Sequence, residues 1–306
     1  MGIAVVGSSH VVMTPFCAET VLIWSVAEQH LTHSILPERL RKTFMGDNTQ
    51  KFGQAVAVGN TVYASPYNSD YLFTYEHAEL WTGDSNVDNR ASGIHVSNSL
   101  KEYPKEKAGK WFGIAHYDNK IYCVPAQHGS MLVYDLDVSR GHRFREVKIA
   151  AVPQDIPNFG IPLYTSATMI ESTIYAMPAM SIFGLLMFET ISETANVRSI
   201  DTRTDQGWIG ITAVKDHHAI YGAPFTADDI LVYTVPNPYA EPHAEDGYTY
   251  PASNCSSFAP EPLHRDRAEV EQKNISKSNQ IQSEISNFVL NSTKISTKIL
   301  ILIFVH

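Results

Sequence analysis

Segments in which apolar and polar residues alternate recur along most of the chain. "KIYCV" at 120–124 and "MLVYDLDV" at 131–138 have a period of two residues, which is typical of a β-strand and not of a helix. Short turn sequences separate such segments, namely "GN" at 59–60, "DN" at 118–119 and "DH" at 216–217. Because Gly, Asn and Asp tolerate positive φ, these dipeptides suit tight hairpins. The pattern predicts an all-β protein with almost no helix.

The alternating segments belong to a unit that occurs five times, each copy anchored by a proline. The prolines are Pro15, Pro66, Pro125, Pro178 and Pro224. Three residues before each proline lie Val12, Tyr63, Tyr122, Tyr175 and Tyr221, and nine or ten residues after it lie Trp24, Tyr75, Tyr134, Phe188 and Tyr233. Upstream, the same place is held by Gly2, Gly53, Gly113 and Gly210, with Thr165 in the fourth copy. We expect the tyrosine and the later aromatic residue to pack across or between units.

The spacing of the repeat predicts the architecture. The prolines are 51, 59, 53 and 46 residues apart, and a period of this size with several strands per unit indicates a β-propeller blade. The alternative is a β-sandwich with coincidental spacing. Proline cannot donate to a strand ladder, so its place at the end of a second strand predicts that it ends the pairing there.

The repeat resembles kelch-type units, in which an "IY" closes the second strand and a "YD"-like pair closes the third. The resemblance covers about residues 2–235 and implies a propeller fold. It departs from kelch units in one respect, since x-Pro stands where those units carry a Gly-Gly doublet.

The predicted domain organisation is a propeller over residues 1–252 followed by a tail. The blades are expected around 2–50, 51–108, 109–160, 161–205 and 206–252, either as a five-bladed ring with imperfect closure or as a fragment of a larger one. Residues 253–306 are rich in Ser, Asn and Lys and lack the repeat, so we expect a disordered tail. Its end, "ILILIFV", has far fewer than the roughly 20 apolar residues that span a bilayer.

Charge and cysteine content disfavour several classes of function. The net charge is −9 without a basic block, which disfavours a nucleic-acid partner. Three distant cysteines without a CxxC pattern indicate neither a zinc site nor a disulfide framework. The chain start lacks the basic region of a signal peptide, so we expect a cytoplasmic protein. We also expect a monomer that does not span a membrane.

Candidate binding residues lie in loops that a propeller gathers on one rim. These loops join the second and third strands (16–20, 67–70, 126–130, 179–183 and 225–229) or consecutive blades. The binding residues predicted from the first group are Asn68, Asp70, Gln127, His128, Asp228 and Asp229. Asp47, Asn48, Asp155 and Asp205 are further polar loop residues. Such oxygen and nitrogen ligands suit a divalent ion such as Ca²⁺, although Asp and Asn are also ordinary turn formers.

The sequence favours a non-enzymatic binding module over an enzyme. The nucleophile-elbow, zincin, P-loop and dinucleotide-binding motifs are absent, and repeat scaffolds usually carry function in their loops. We therefore predict no cofactor and a protein or small polar ligand at the rim. The alternative is a metal-dependent hydrolase similar to the gluconolactonase class, which needs Glu, Asn and Asp around a central ion. A partial gene product without a function of its own is a third hypothesis.

Overall fold

The structure is a computed structural model, and it describes most of the region that contains the repeats. The described residues are 2–7, 9–42, 50–77, 90–96, 100, 109–137, 144–149, 162–200, 207–227 and 230–236. By its internal contacts the chain divides into two units, Met1–Phe258 and Ala259–His306. All the described residues belong to the first unit. The predicted boundary at residue 252 and the predicted tail lie outside the described residues and stay predictions.

The described residues form nineteen strands in five antiparallel sheets, which are the blades. Blade 1 contains β1 (Gly2–Val6), β2 (His10–Thr14), β3 (Thr20–Ser25) and β4 (His30–Ile35). Blade 2 contains β5 (Phe52–Val58), β6 (Thr61–Pro66), β7 (Tyr71–Glu76) and β8 (Ala91–His95). Blade 3 contains β9 (Trp111–Tyr117), β10 (Lys120–Pro125), β11 (Ser130–Asp135) and β12 (Phe144–Lys148).

The last two blades differ in strand number. Blade 4 contains β13 (Tyr164–Ile170), β14 (Thr173–Pro178), β15 (Leu185–Glu189) and β16 (Thr194–Arg198). Blade 5 has three strands within the described residues, β17 (Trp208–Val214), β18 (Ala219–Pro224) and β19 (Leu231–Thr234). Among the same residues helix is limited to α1 (Glu38–Arg41) and to 3-10 segments at Ser181–Phe183 and Lys215–His217. The predicted five-blade, nearly helix-free propeller is confirmed.

The anchor prolines occupy equivalent places in the blades. In four blades the proline is the last residue of the second strand, whereas Pro15 directly follows β2. The four prolines pair with the aromatic residue that opens the first strand, in the pairs Pro66–Phe52, Pro125–Trp111, Pro178–Tyr164 and Pro224–Trp208. The register shifts next to each of these pairs, because proline has no N–H to continue the ladder.

The first strands of successive blades lie side by side, in the order β1, β5, β9, β13 and β17. The recurring glycine permits this close approach. A Cβ on Gly113 would lie 3.0 Å from the backbone carbon of Ser166 in the next blade, and one on Gly53 would meet the backbone of Phe112. Thr165 takes this place in blade 4, and its hydroxyl donates a hydrogen bond of 2.9 Å to the carbonyl of Trp208.

Four apolar clusters fill the four interfaces between consecutive blades. At the interfaces between blades 2 and 3, 3 and 4, and 4 and 5, the predicted tyrosine contacts the later aromatic residue of the following blade. The ring centroids are 6.4 Å apart for Tyr63 and Tyr134, 5.8 Å for Tyr122 and Phe188, and 6.0 Å for Tyr175 and Tyr233. Val12 and Tyr75 share the first cluster. The predicted packing between units is confirmed.

Two of the three predicted hairpin turns have the expected geometry. Gly59 has φ of 56° and Asp118 has φ of 51°, as tight hairpins require. The prediction at 216–217 is wrong, because a 3-10 segment at Lys215–His217 precedes the left-handed residue His218, whose φ is 44°. This connection is therefore longer than a two-residue turn.

No helix in the described part of the chain is long and apolar enough to cross a membrane.

Candidate functional site

The loops between the second and third strands lie on one face of the propeller, which we call the rim. The described parts of the rim are residues 15–19, 67–70, 126–129, 179–184, 225–227 and 230. A repeated hydrogen bond links the loops of blades 1–3 to the next blade. The N–H of Lys51 donates to the carbonyl of Phe16 at 2.6 Å, and that of Lys110 donates to Tyr67 at 2.8 Å. Phe16 and Tyr67 each directly follow an anchor proline.

A second repeated contact holds the loops of blades 2–5 to their own blades. The carbonyl of Lys51 accepts hydrogen bonds from three consecutive N–H groups, those of residues 67–69, at 3.0–3.2 Å. The carbonyl of Gly207 accepts from residues 225–227 at 2.9–3.2 Å in the same way. The loop backbone is thus fixed by the scaffold, which leaves the exposed side chains as the variable feature of the rim.

Two buried lysines lie beneath the rim. The side chains of Lys51 and Lys110 are fully buried, and the Lys51 ammonium donates to the carbonyl of Cys17 at 3.0 Å. The Lys110 ammonium lies 2.8 Å from the Asp70 carboxylate, whose side chain is 35% exposed. Burial lowers the pKa of Lys110, and the Asp70 carboxylate opposes that shift.

Three of the predicted binding residues converge on Gly109 and Lys110. Asn68 is buried, and its side-chain oxygen accepts a hydrogen bond of 2.7 Å from the N–H of Gly109. The N–H of Gln127 donates to the carbonyl of Gly109 at 2.6 Å. Together with the contact between Asp70 and Lys110, these bonds join the loops of blades 2 and 3.

His128 belongs to a separate group on blade 3. Its Nε2 lies 3.2 Å from the Glu146 carboxylate, and its ring meets that of Trp111 edge to face at 5.3 Å. The Trp111 indole in turn donates to the carbonyl of Ser130 at 2.8 Å. Asp228 and Asp229 lie outside the described residues. The further polar loop residues Asp47, Asn48, Asp155 and Asp205 do as well.

The rim also carries an aromatic cluster that the sequence analysis did not identify. The ring centroids of Phe16, Tyr67 and Phe112 lie 5.1–6.1 Å apart, and burial raises the pKa of Tyr67. A signal was present in the sequence, since Phe16 and Tyr67 both directly follow anchor prolines.

The amide of Gln54 joins the first strands of three blades. Its oxygen accepts hydrogen bonds from the N–H of Ile114 at 3.1 Å and of Ala167 at 2.8 Å, and its nitrogen donates to the carbonyl of Ala167 at 3.2 Å. Within the described ranges, no three His, Cys, Asp or Glu side chains are grouped so as to hold a metal ion.

A cleft of about 440 Å³ lies between blades 4 and 5. Both charge signs line it, with Glu171, Glu189, Arg198 and His218 beside Tyr175. Burial raises the pKa of Tyr175 to about 12. The hairpin turn of blade 4 at 171–172 forms part of its wall, so the cleft reaches the end of this blade opposite to the rim.

Comparison with known proteins shows the fold alone. No family model matches the chain, and no curated protein matches its sequence. A streptogramin B lyase structure is 13% identical with a TM-score of 0.50, and 78% of this chain covers 69% of that one. Virginiamycin B lyase from Staphylococcus aureus is 15% identical with a TM-score of 0.46, at coverages of 78% and 70%. The chain spans only 58% of the computationally designed Ika8 protein, at 10% identity, a TM-score of 0.46 and 76% coverage of this chain.

Proposed function

We propose that this chain is a non-enzymatic binding module that holds a protein partner at the rim. One observation carries the proposal. The rim loops of blades 2–5 share a backbone hydrogen bond to the residue before their own first strand, and those of blades 1–3 share one to the next blade, while their exposed side chains differ from blade to blade. A rigid loop backbone with varied side chains is the usual arrangement of a binding surface on a repeat scaffold.

The exposed rim side chains indicate the kind of partner. Phe225 and Ile182 expose more than half of their surfaces, and large apolar side chains are favourable contacts at the centre of a protein interface. The carboxylates of Glu19 and Asp70 are partly exposed on the same face. With the overall charge of −9, this surface favours a partner that presents apolar and basic residues together.

The test uses two variants with the same chemical change on opposite faces. Ile182→Arg puts a positive charge on the rim, and Ile191→Arg puts it on the hairpin between β15 and β16, at the other face. The exposures of the wild-type side chains are 58% and 75%, so neither substitution should lower the melting temperature. The full chain is used as bait in a cell extract, and the captured proteins are quantified by mass spectrometry.

We expect one or more proteins to be captured by wild type and by Ile191→Arg, and to be lost from Ile182→Arg. A basic partner would be repelled by the new arginine as well as losing an apolar contact. Equal capture by both variants would place the partner away from this part of the rim, and the proposal would be wrong.

A further inference from the structure

Each internal interface of the propeller is formed by two defined faces. The outgoing face of a blade carries the tyrosine three residues before the proline, and the incoming face of the next blade carries the later aromatic residue. At the interface between blades 2 and 3, Tyr63 lies on the outgoing face and Tyr134 on the incoming face. Ile121 and Phe144 flank Tyr134 as its cross-strand neighbours, and all three are buried.

Blade 1 has an incoming face of the same composition, but this face is open. Its central aromatic residue is Trp24, and the cross-strand neighbours of Trp24 are Val11 and Leu31. These positions match Ile121 and Phe144 in blade 3. Trp24 and Val11 are only half-buried, and Leu31 is exposed.

The exposure extends along β1, the innermost strand of the blade. Ile3 and Val5 project from the same side as Val11, and they are 53% and 59% exposed. The opposite side of β1 packs against blade 2 through Ala4 and Val6. Both sides of this sheet are therefore apolar, and a contiguous exposed apolar face of this kind marks an interaction surface.

Within the described residues, no blade follows the outgoing face of blade 5. Tyr221 occupies the place of Tyr63, between Val232 and an exposed Thr212. Gly210 shows that this face is uncovered. A Cβ on Gly2, Gly53 or Gly113 would meet the next first strand, whereas one on Gly210 would touch only Ala223 of its own blade, at 3.4 Å.

We propose that blade 5 of one copy packs on blade 1 of a second copy, with Tyr221 against Trp24. The two open faces are the two halves of an interface that the chain already forms between its own blades. No apolar cluster among the described residues joins blade 5 to blade 1 of the same copy. The contact is head-to-tail, so it makes a closed ring of copies or an extending chain of them. The proposal differs from the monomer predicted from the sequence.

The test is the mass of the full-length protein in solution. Sedimentation velocity of wild type over a range of concentrations should show species of two or more copies. Trp24→Glu places a carboxylate in the proposed contact and should weaken association by about 30-fold or more, as for a central interface residue. Val5→Glu is a second variant at a more exposed position, and Ile191→Arg is the control on a surface outside the proposed contact.

A cross-linking experiment identifies the faces. In a background with Cys17 and Cys255 replaced by Ser, one chain carries Trp24→Cys and another carries Tyr221→Cys. A short bis-maleimide should join the two chains when they are mixed and should join neither chain to itself. A wild type that stays monomeric would overturn the proposal. Glutamate variants that associate like wild type would also overturn it. A third chain carries both Trp24→Cys and Tyr221→Cys, and a cross-link within a single copy of that chain would overturn the proposal as well.

Discussion

The ion pair between Asp70 and Lys110 gives the most specific stability prediction. Replacing Asp70 by Asn keeps the side-chain volume and a hydrogen-bond acceptor but removes the negative charge 2.8 Å from the Lys110 ammonium. Lys110 is fully buried, so its positive charge cannot recover the lost interaction by moving into water. We therefore expect Asp70→Asn to destabilise the propeller rather than only to change the rim.

The expected size follows from the burial of the two partners. Removing one partner of a fully buried ion pair destabilises a protein by about 3–5 kcal/mol. The Asp70 side chain is 35% exposed, so solvent screening reduces this to about 2 kcal/mol. The control is Asp118→Asn, the same charge change at an exposed turn with φ of 51°, a conformation that Asn also tolerates. Urea unfolding should detect a loss only for Asp70→Asn.

A double-mutant cycle isolates the charge interaction. Lys110→Met keeps an apolar stem in the same space and removes the buried charge. Adding Asp70→Asn to Lys110→Met should then change stability by less than about 0.5 kcal/mol, because nothing remains for the carboxylate to neutralise.

The pH dependence has a defined sign. Burial lowers the pKa of Lys110 and Asp70 partly raises it, so Asp70→Asn lowers that pKa further. Between the folded pKa and the unfolded value of 10.5, the folded state binds fewer protons, and stability rises with pH. The pH range in which stability rises begins at a lower pH in Asp70→Asn than in wild type. The stability that the variant has lost relative to wild type should therefore shrink as pH rises towards 10. A deficit that is constant with pH, or that survives in the Lys110→Met background, would refute the reasoning.

Three further predictions concern the scaffold, the metal and the tail. Gly113→Ala should lower the free energy of unfolding in urea by about 1–3 kcal/mol, because its Cβ would lie 3.0 Å from the backbone of Ser166. Gly210→Ala should change that free energy by less than about 0.5 kcal/mol. Equal losses would contradict the close-approach role of the glycine. Adding Ca²⁺, Mg²⁺ or Zn²⁺ should leave the melting temperature unchanged, and a large rise would favour the alternative metal-dependent hydrolase. Limited proteolysis should remove residues after about 253 and leave a resistant core, and equal protection of both parts would contradict the predicted tail.

The propeller could be predicted from the sequence because the repeat is carried by residues with strong backbone requirements. Pro66 and Pro125 each end the second strand of their blade, and Gly53 and Gly113 lie where the first strands of neighbouring blades approach closely. The turn at 216–217 could not be predicted, since a dipeptide of turn residues does not exclude the 3-10 segment that precedes His218.

The arrangement of the candidate residues could be predicted only in part. Asn68, Asp70 and Gln127 do meet, but they meet around Gly109 and Lys110, which the sequence analysis had not selected. A lysine normally indicates a solvated surface, so its burial beside a carboxylate from another blade cannot be recognised without knowing which loops become neighbours. The same applies to Glu146, whose contact with His128 depends on the pairing of β11 with β12.

The dissociation constant of a captured partner for three forms of the chain tests the central claim most directly. Titration calorimetry would compare wild type with Ile182→Arg on the rim and Ile191→Arg on the opposite face. We expect Ile191→Arg to bind like wild type and Ile182→Arg to bind at least about 10-fold more weakly, as for an interface residue whose loss costs about 1.4 kcal/mol or more. Equal affinities of the two variants, or a weaker affinity for Ile191→Arg alone, would contradict a binding surface at the rim.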